Sequence, residues 1–277
     1  MSDVTMAVET ATTADGTKQL RRRWAVDEPR AAILLIHGIG EHSGRYQHVG
    51  QYFADRGYDL ETFDNRGFGE SGGRRGHIGS FSLYLDDLQE RLAIRRELGV
   101  PTVLFGHSLG GLISSRYLVS RRPQPDLAVL SSPAIDATAP RWQKLFAPLL
   151  GRVAPTMFFP SEIDGQGLSR DVEVQEAYTN DPLLVAGATA GLGMGIFDAM
   201  KTVRSRMDRI ELPTYVLHGT DDPVVPIEAS RPLERLPNVT YRAWDGLLHE
   251  CLNEPEQDEV MAEIDGWLTD RLAASAG

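Results

Sequence analysis

The chain has 277 residues, and its 28 Lys and Arg against 39 Asp and Glu leave a formal charge of −11, which argues against DNA or RNA as a partner. A hydrophobic fraction of 42% suffices for a sizeable core. The single cysteine, Cys251, leaves neither an intramolecular disulfide nor a cysteine zinc site.

The opening stretch, MSDVTMAVETATTADG, has no basic segment followed by an apolar run. No apolar run approaches the ~18 residues that a membrane span needs, so a cytoplasmic chain is expected, at most peripheral to a membrane. From there, short apolar runs alternate with amphipathic segments. Ala31–Ile36 reads as a strand, Arg45–Arg56 as a helix, Tyr58–Phe63 as a strand and Ser80–Leu98 as a helix. Thr102–Phe105, Leu109–Ser120 and Leu127–Leu130 continue as strand, helix and strand. The runs are rich in Val, Ile and Leu, as suits strands buried on both faces.

The alternation breaks between Ala134 and Arg206. Pro140, Pro148, Pro155, Pro160 and Pro182 punctuate this stretch, glycines cluster at Gly187–Gly195, and strong strand signals are absent. The expected structure is a helical insertion that caps the sheet. Trp142, Leu145, Phe146, Leu149, Leu150 and Val153 recur at three and four residues, one apolar stripe that Pro148 bends. Arg141, Lys144 and Arg152 lie off the stripe. The pattern resumes with Thr214–Leu217 (strand), Ile227–Arg235 (helix), Val239–Ala243 (strand) and Pro255–Leu272 (helix). The organisation is α/β, a mostly parallel central sheet flanked by helices. Residues 1–133 and 207–277 form its core, and 134–206 its cap.

The segment most informative for chemistry is Gly106-His107-Ser108-Leu109-Gly110. This is G-x-S-x-G, directly after a strand and directly before a helix, the context of a nucleophile elbow. A plain tight turn with an exposed serine is the competing reading, and the flanking elements outweigh it. A serine hydroxyl needs a base within reach, and the base needs an orienting acid. His218 and His249 are the histidines downstream. His218 closes a strand and reads as structural. His249 lies in the loop after the last strand, where catalytic groups collect in such sheets, and is the expected base. The acid comes from Gly219-Thr220-Asp221-Asp222-Pro223, in which spacing does not separate the two aspartates. Oxyanion donors are expected at the Leu109 amide, after the nucleophile, and the Ile39 amide, in the turn after Ala31–Ile36. The histidines show no metal-ligand spacing, so neither metal nor cofactor is expected.

These residues resemble the monoacylglycerol lipase and lysophospholipase group of serine α/β-hydrolases, over about Arg30 to Leu272. His37-Gly38-Ile39-Gly40-Glu41-His42-Ser43-Gly44-Arg45-Tyr46 is similar to that group's HG-x-GEHSGRY signature. Phe63–Ser71 with Arg75-Gly76-His77 resembles its FDHRGHGxS…RGH stretch, and Gly106–Gly111 its GHSxGG. Ser169-Arg170-Asp171 to Asp181-Pro182-Leu183 resembles its cap segment. The resemblance implies an α/β-hydrolase fold, Ser108 as nucleophile, Asp222 rather than Asp221 as acid, His249 as base, and Ile39 and Leu109 as oxyanion donors. It implies a single-chain acyl ester as substrate and an apolar acyl channel under the cap, with Leu145 and Leu149 lining or gating it. Glu41 and Arg45 would be polar contacts. Asn65 stands where the group has histidine and Phe68 where it often has another; neither is expected to touch the reaction. Leu252 replaces a histidine that some members place beside the glycerol group.

The expected activity is therefore cofactor-free ester hydrolysis through an acyl-enzyme, with transient lipid-surface contact through the cap, aided by Arg141, Lys144 and Arg152. A capped serine peptidase of the same fold and a non-catalytic member that captures a hydrophobic molecule are the alternatives.

Overall fold

The computed structural model describes residues 4–136, 149–160 and 163–275. In chain order its strands are β1 (Met6–Thr12), β2 (Lys18–Trp24), β3 (Ala31–Ile36), β4 (Tyr58–Phe63), β5 (Thr102–His107), β6 (Leu127–Ser131), β7 (Phe158–Pro160), β8 (Gly187–Thr189), β9 (Thr214–Gly219) and β10 (Val239–Trp244). The helices are α1 (Gln47–Ala54), α2 (Ser82–Arg96), α3 (Leu109–Leu118), α4 (Val172–Thr179), α5 (Ala190–Arg206) and α6 (Gln257–Ser275). One sheet of eight strands runs β1-β2-β4-β3-β5-β6-β9-β10. From β4 to β10 all neighbours are parallel, while β1 and β2 add an antiparallel hairpin. This is the α/β-hydrolase fold, with helices on both faces.

Strands β3, β4, β5, β6 and β9 are buried at every position. Alternate side chains serve two cores. Leu34 and Ile36 of β3 pack with Leu88 and Leu92 of α2, Leu112 of α3 and Val203 of α5. Ala31, Ile33 and Leu35 pack on the opposite face with Phe53 of α1 and Ile264 and Leu268 of α6. A period of two thus divides one apolar run between two layers.

The apolar runs mark no strand over the β1–β2 hairpin. Lys18–Trp24 reads KQLRRRW, and its arginines make ion pairs, Arg21 with Glu9, Arg22 with Asp64 and Arg23 with Asp59. Arg23 donates to Asp59 at 2.9 and 2.8 Å, Arg91 donates to Glu61 at 2.7 and 2.9 Å, and Arg95 also bonds Asp59. The segment expected as a helix at Ile227–Arg235 is two short 3-10 stretches, Ile227–Ala229 and Arg231–Arg235, since Pro232 removes a donor inside it. In the insertion, β7 and β8 pair antiparallel, and at three residues each they are too short to show a period. Helix α5 starts inside the glycine cluster, where Thr189 caps it by accepting from Leu192 N. It packs on α3. Among the described residues no helix is long and apolar enough to cross a membrane.

Candidate active site

Ser108 sits between β5 and α3 with φ 53° and ψ −115°. A non-glycine residue there costs about 1–3 kcal/mol and persists only if the surroundings impose it. They do: Ser108 N donates to Ser131 O at 3.0 Å, and its carbonyl accepts from Leu112 N and Ala134 N. The flanking glycines are required by contact. A Cβ at Gly106 would lie 2.4 Å from Gly110 O, and one at Gly110 would lie 2.0 Å from Ile36 O. The strand and helix therefore pinch together and push the serine hydroxyl outward.

The loops after β9 and β10 bring Asp222 and His249 to it. Ser108 Oγ lies 2.9 Å from His249 Nε2, and His249 Nδ1 lies 2.7 Å from Asp222 Oδ2. An ionised carboxylate can only accept, so Nδ1 carries the proton and the bare Nε2 accepts from the serine. The four groups around Asp222 are all donors. Val224 N and Val225 N meet Oδ1 at 2.8 and 2.9 Å, while His218 Nε2, at 3.1 Å, joins His249 at Oδ2. Burial would raise the Asp222 carboxyl, but His249 and these bonds hold it well below the usual carboxylate range. Burial would likewise depress His249, but the charge of Asp222 and the bond to it leave the imidazole raised. Asp221 is exposed and its side chain takes only a local bond from Thr220, so the two aspartates differ in burial and bonding. His218 is buried against Asp222, the carbonyl of Val225 and the hydroxyl of Ser230, and so braces the Asp222 carboxylate.

Gly38, Ile39, Glu41, His107, Ser108, Ile163, Leu168, Tyr178, Val224, His249 and Glu250 line a cavity of about 20 Å³, room for about one water. The turn at His37–Gly40 is wired on all sides. His37 Nε2 accepts from Asn65 N at 2.8 Å, Nδ1 donates to Gly38 O at 2.8 Å, and Asn65 Nδ2 donates to His37 O at 3.2 Å. Phe68 meets the same ring edge-on. Asn65 and Phe68, expected to stand apart from the reaction, thus support this turn from behind. Neither the Ile39 nor the Leu109 amide has an acceptor among the described residues.

Glu41 and Arg45 belong to a buried charge cluster whose third member, Glu250, the sequence did not reveal. Arg45 Nη1 donates to Glu41 Oε2 at 2.9 Å, and Nη2 donates to Glu250 Oε2 at 2.8 Å. Glu41 Oε1 accepts from Tyr46 Oη at 2.7 Å and Gly38 N at 2.5 Å. Burial would raise the Glu41 carboxyl, yet Arg45, with His107 and His37, holds it down at about 2. The Arg45 guanidinium lies over the ring of Tyr178, from α4 of the insertion. Only the position of Glu250 beside His249 hinted at it.

Leu252 is not among the cavity residues. It packs in the apolar layer with Trp244, Leu247 and Met261, because the short 3-10 stretch Cys251–Asn253 turns it into the fold. Leu149 lies in a helical stretch at 149–153 and is 56% exposed. Leu145, with Trp142, Phe146, Arg141 and Lys144, lies outside the described residues. Among the described residues, no group of three or more His, Cys, Asp and Glu is arranged to hold a metal. A polarised serine, a base held in one tautomer and two unused amides beside a small cavity are parts suited to acyl transfer.

A family profile described as serine aminopeptidase, S33, matches residues 27–256. The chain is 34% identical to a monoacylglycerol lipase of Mycolicibacterium smegmatis, over 90% of this chain and 92% of that protein. It is 30% identical to the phospholipase YtpA of Bacillus subtilis, over 86% and 94% respectively. Among solved structures, a monoacylglycerol lipase of Paleococcus ferrophilus superposes with a TM-score of 0.82 at 33% identity, covering 91% of this chain and 98% of that one.

Proposed function

The chain belongs to the serine aminopeptidase S33 family of α/β-hydrolases, and on that footing we propose a carboxylic ester hydrolase that cleaves monoacylglycerols and similar single-chain esters. The observation that carries the reading is the hydrogen-bonded chain from Ser108 Oγ through His249 to Asp222, at 2.9 and 2.7 Å. Ser108 attacks the ester carbonyl while His249 takes its proton and returns it to the departing alcohol. Asp222 holds the imidazole and stabilises its protonated form. The amides of Ile39 and Leu109 receive the oxyanion, and the N-terminus of α3 places its positive end there. Water then releases the acyl group by the same steps reversed.

The substrate class rests on the relatives named monoacylglycerol lipases. Exposed apolar side chains in the insertion, among them Leu149, Val153, Phe158 and Phe159, support a cap over residues 134–206 that lines an acyl channel and touches lipid surfaces. A cytoplasmic location, peripheral to membranes, accords with that surface. A peptidase would need a free carboxylate for the substrate's ammonium. The cavity carboxylates, Glu41 and Glu250, are both bound by Arg45, which favours a neutral ester.

Purified Ser108→Ala, shown to be folded, is expected to lose several orders of magnitude in kcat on monoacylglycerol and p-nitrophenyl butyrate. Hydrolysis at the wild-type rate would overturn the assignment. A panel of monoacylglycerols, lysophospholipids and short-chain esters ranks the alcohol group by kcat/KM.

A further inference from the structure

We propose that Glu41 is the positioning residue of the oxyanion turn: its carboxylate fastens the Gly38 amide and so leaves the Ile39 amide as the donor facing the ester oxygen. The proposal rests on the reading of Ser108 as nucleophile and Ile39 as donor.

The carboxylate and the serine both crowd Gly38 where a side chain would start. A Cβ there would lie 2.8 Å from Glu41 Oε1 and 3.1 Å from Ser108 Cβ, so both can approach only because the side chain is hydrogen. Gly38 N donates to Glu41 Oε1 at 2.5 Å. At the other end of the turn, Gly40 O accepts from Val185 N of the insertion at 2.8 Å. The residues on either side of Ile39 are pinned, while its own N–H is unused among the described residues. The Ile39 N–H belongs to the peptide unit whose oxygen, Gly38 O, is bonded by His37 Nδ1 at 2.8 Å, and the unit before it is fastened through Gly38 N by Glu41, so two adjoining bonds fix the direction of that N–H.

The carboxylate is also well occupied. Gly38 N, Tyr46 Oη and Arg45 Nη1 fill three of its roughly four acceptor positions, which leaves little for a substrate hydroxyl. A bare carboxylate beside a developing oxyanion would oppose the reaction. Arg45 Nη1 lies 2.9 Å from Glu41 Oε2 and offsets that charge, while it also binds Glu250, so the three side chains together keep one negative charge. The cluster therefore supplies a strong anchor for one amide, with the Glu41 charge offset by the guanidinium bound to it.

The test separates transition-state from ground-state effects. Glu41→Ala, folded by circular dichroism, should lose about 10- to 100-fold in kcat with KM changed by no more than about threefold, since a misaimed donor acts only on the transition state. Affinity for a trifluoromethyl ketone should fall in parallel. Ser108 adds to that carbonyl, its proton passes to His249, and the resulting oxyanion needs the same donors. Glu41→Gln keeps an oxygen for the Gly38 amide and should retain more kcat than the alanine variant. A rise in KM at unchanged kcat, no effect at all, or a glutamine variant no better than alanine would overturn the proposal. Should Glu41→Ala fail to fold, the wild-type Gly38 amide proton is read by NMR. It should be shifted downfield by its bond to a carboxylate, and an ordinary shift would overturn the proposal. Labelling of wild-type enzyme by a fluorophosphonate, with Ser108→Ala as control, tests the underlying reading separately: absent labelling sinks the nucleophile assignment, whatever Glu41 does.

Discussion

Replacing Asp222 by Asn changes one atom and should nearly abolish turnover. The four donors around the side chain fall into two pairs: the backbone amides of Val224 and Val225 at Oδ1, and the rings of His218 and His249 at Oδ2. An amide has one acceptor oxygen and one donor nitrogen, so one pair must face the NH2. The backbone amides cannot change their protonation, whereas imidazoles can change tautomer. The NH2 therefore turns to the rings, and His249 must offer a bare Nδ1. Its proton then sits on Nε2, which donates to Ser108 and no longer accepts from it. The expected loss in kcat is about ten-thousand-fold, or ~5.5 kcal/mol, with KM little changed. The assay is kcat and KM for p-nitrophenyl butyrate on folded protein, with the exposed Asp221→Asn as control. The reasoning is refuted if Asp222→Asn stays within about tenfold of wild type, or if Asp221→Asn is equally damaging.

The acid limb of kcat/KM should have its midpoint above 6.5, because the reaction needs neutral His249 and its imidazole is raised; a midpoint below 6.5 would contradict the Asp222 contact. Stability runs the other way: the His249 contribution is full below 6.5 and is lost as pH rises through the raised value, as pH-dependent urea unfolding would read. Leu149→Asp, at a side chain 56% exposed, should shift stability by no more than about 0.5 kcal/mol and slow long-chain esters far more than acetate, with equal losses counting against an acyl channel. Cys251 is fully buried, and burial pushes its thiol up to about 12, so native enzyme should resist thiol reagents and react on unfolding; rapid stoichiometric labelling of the native form would contradict this.

Strands such as Ala31–Ile36 were legible because burial on both faces selects a continuous apolar run. The β1–β2 hairpin was not, because the arginines of Lys18–Trp24 meet carboxylates, including Asp59, that sit in another strand; a charge reads as exposed until its partner is known. The serine elbow announced itself through two glycines, and the contacts at Gly106 and Gly110 give the physical reason. Asp221 and Asp222 differ in burial, which neighbouring positions cannot express. Glu250 and Asn65 matter through partners elsewhere in the chain, Arg45 and His37, so their positions in the motifs gave no role for them. Leu252 illustrates the converse, since a position matched by resemblance can still turn into the apolar layer.

Ser108 and His249 are 141 positions apart, and the loops that carry Asp222 and His249 follow strands that join the sheet through β6. Long-range parallel pairing is slow, because chain closure is entropically costly before any contact compensates it. Esterase turnover should therefore be among the last signals to return when the denatured chain refolds, after helical ellipticity has recovered. Hydrolysis of a chromogenic ester then becomes a clock for sheet completion.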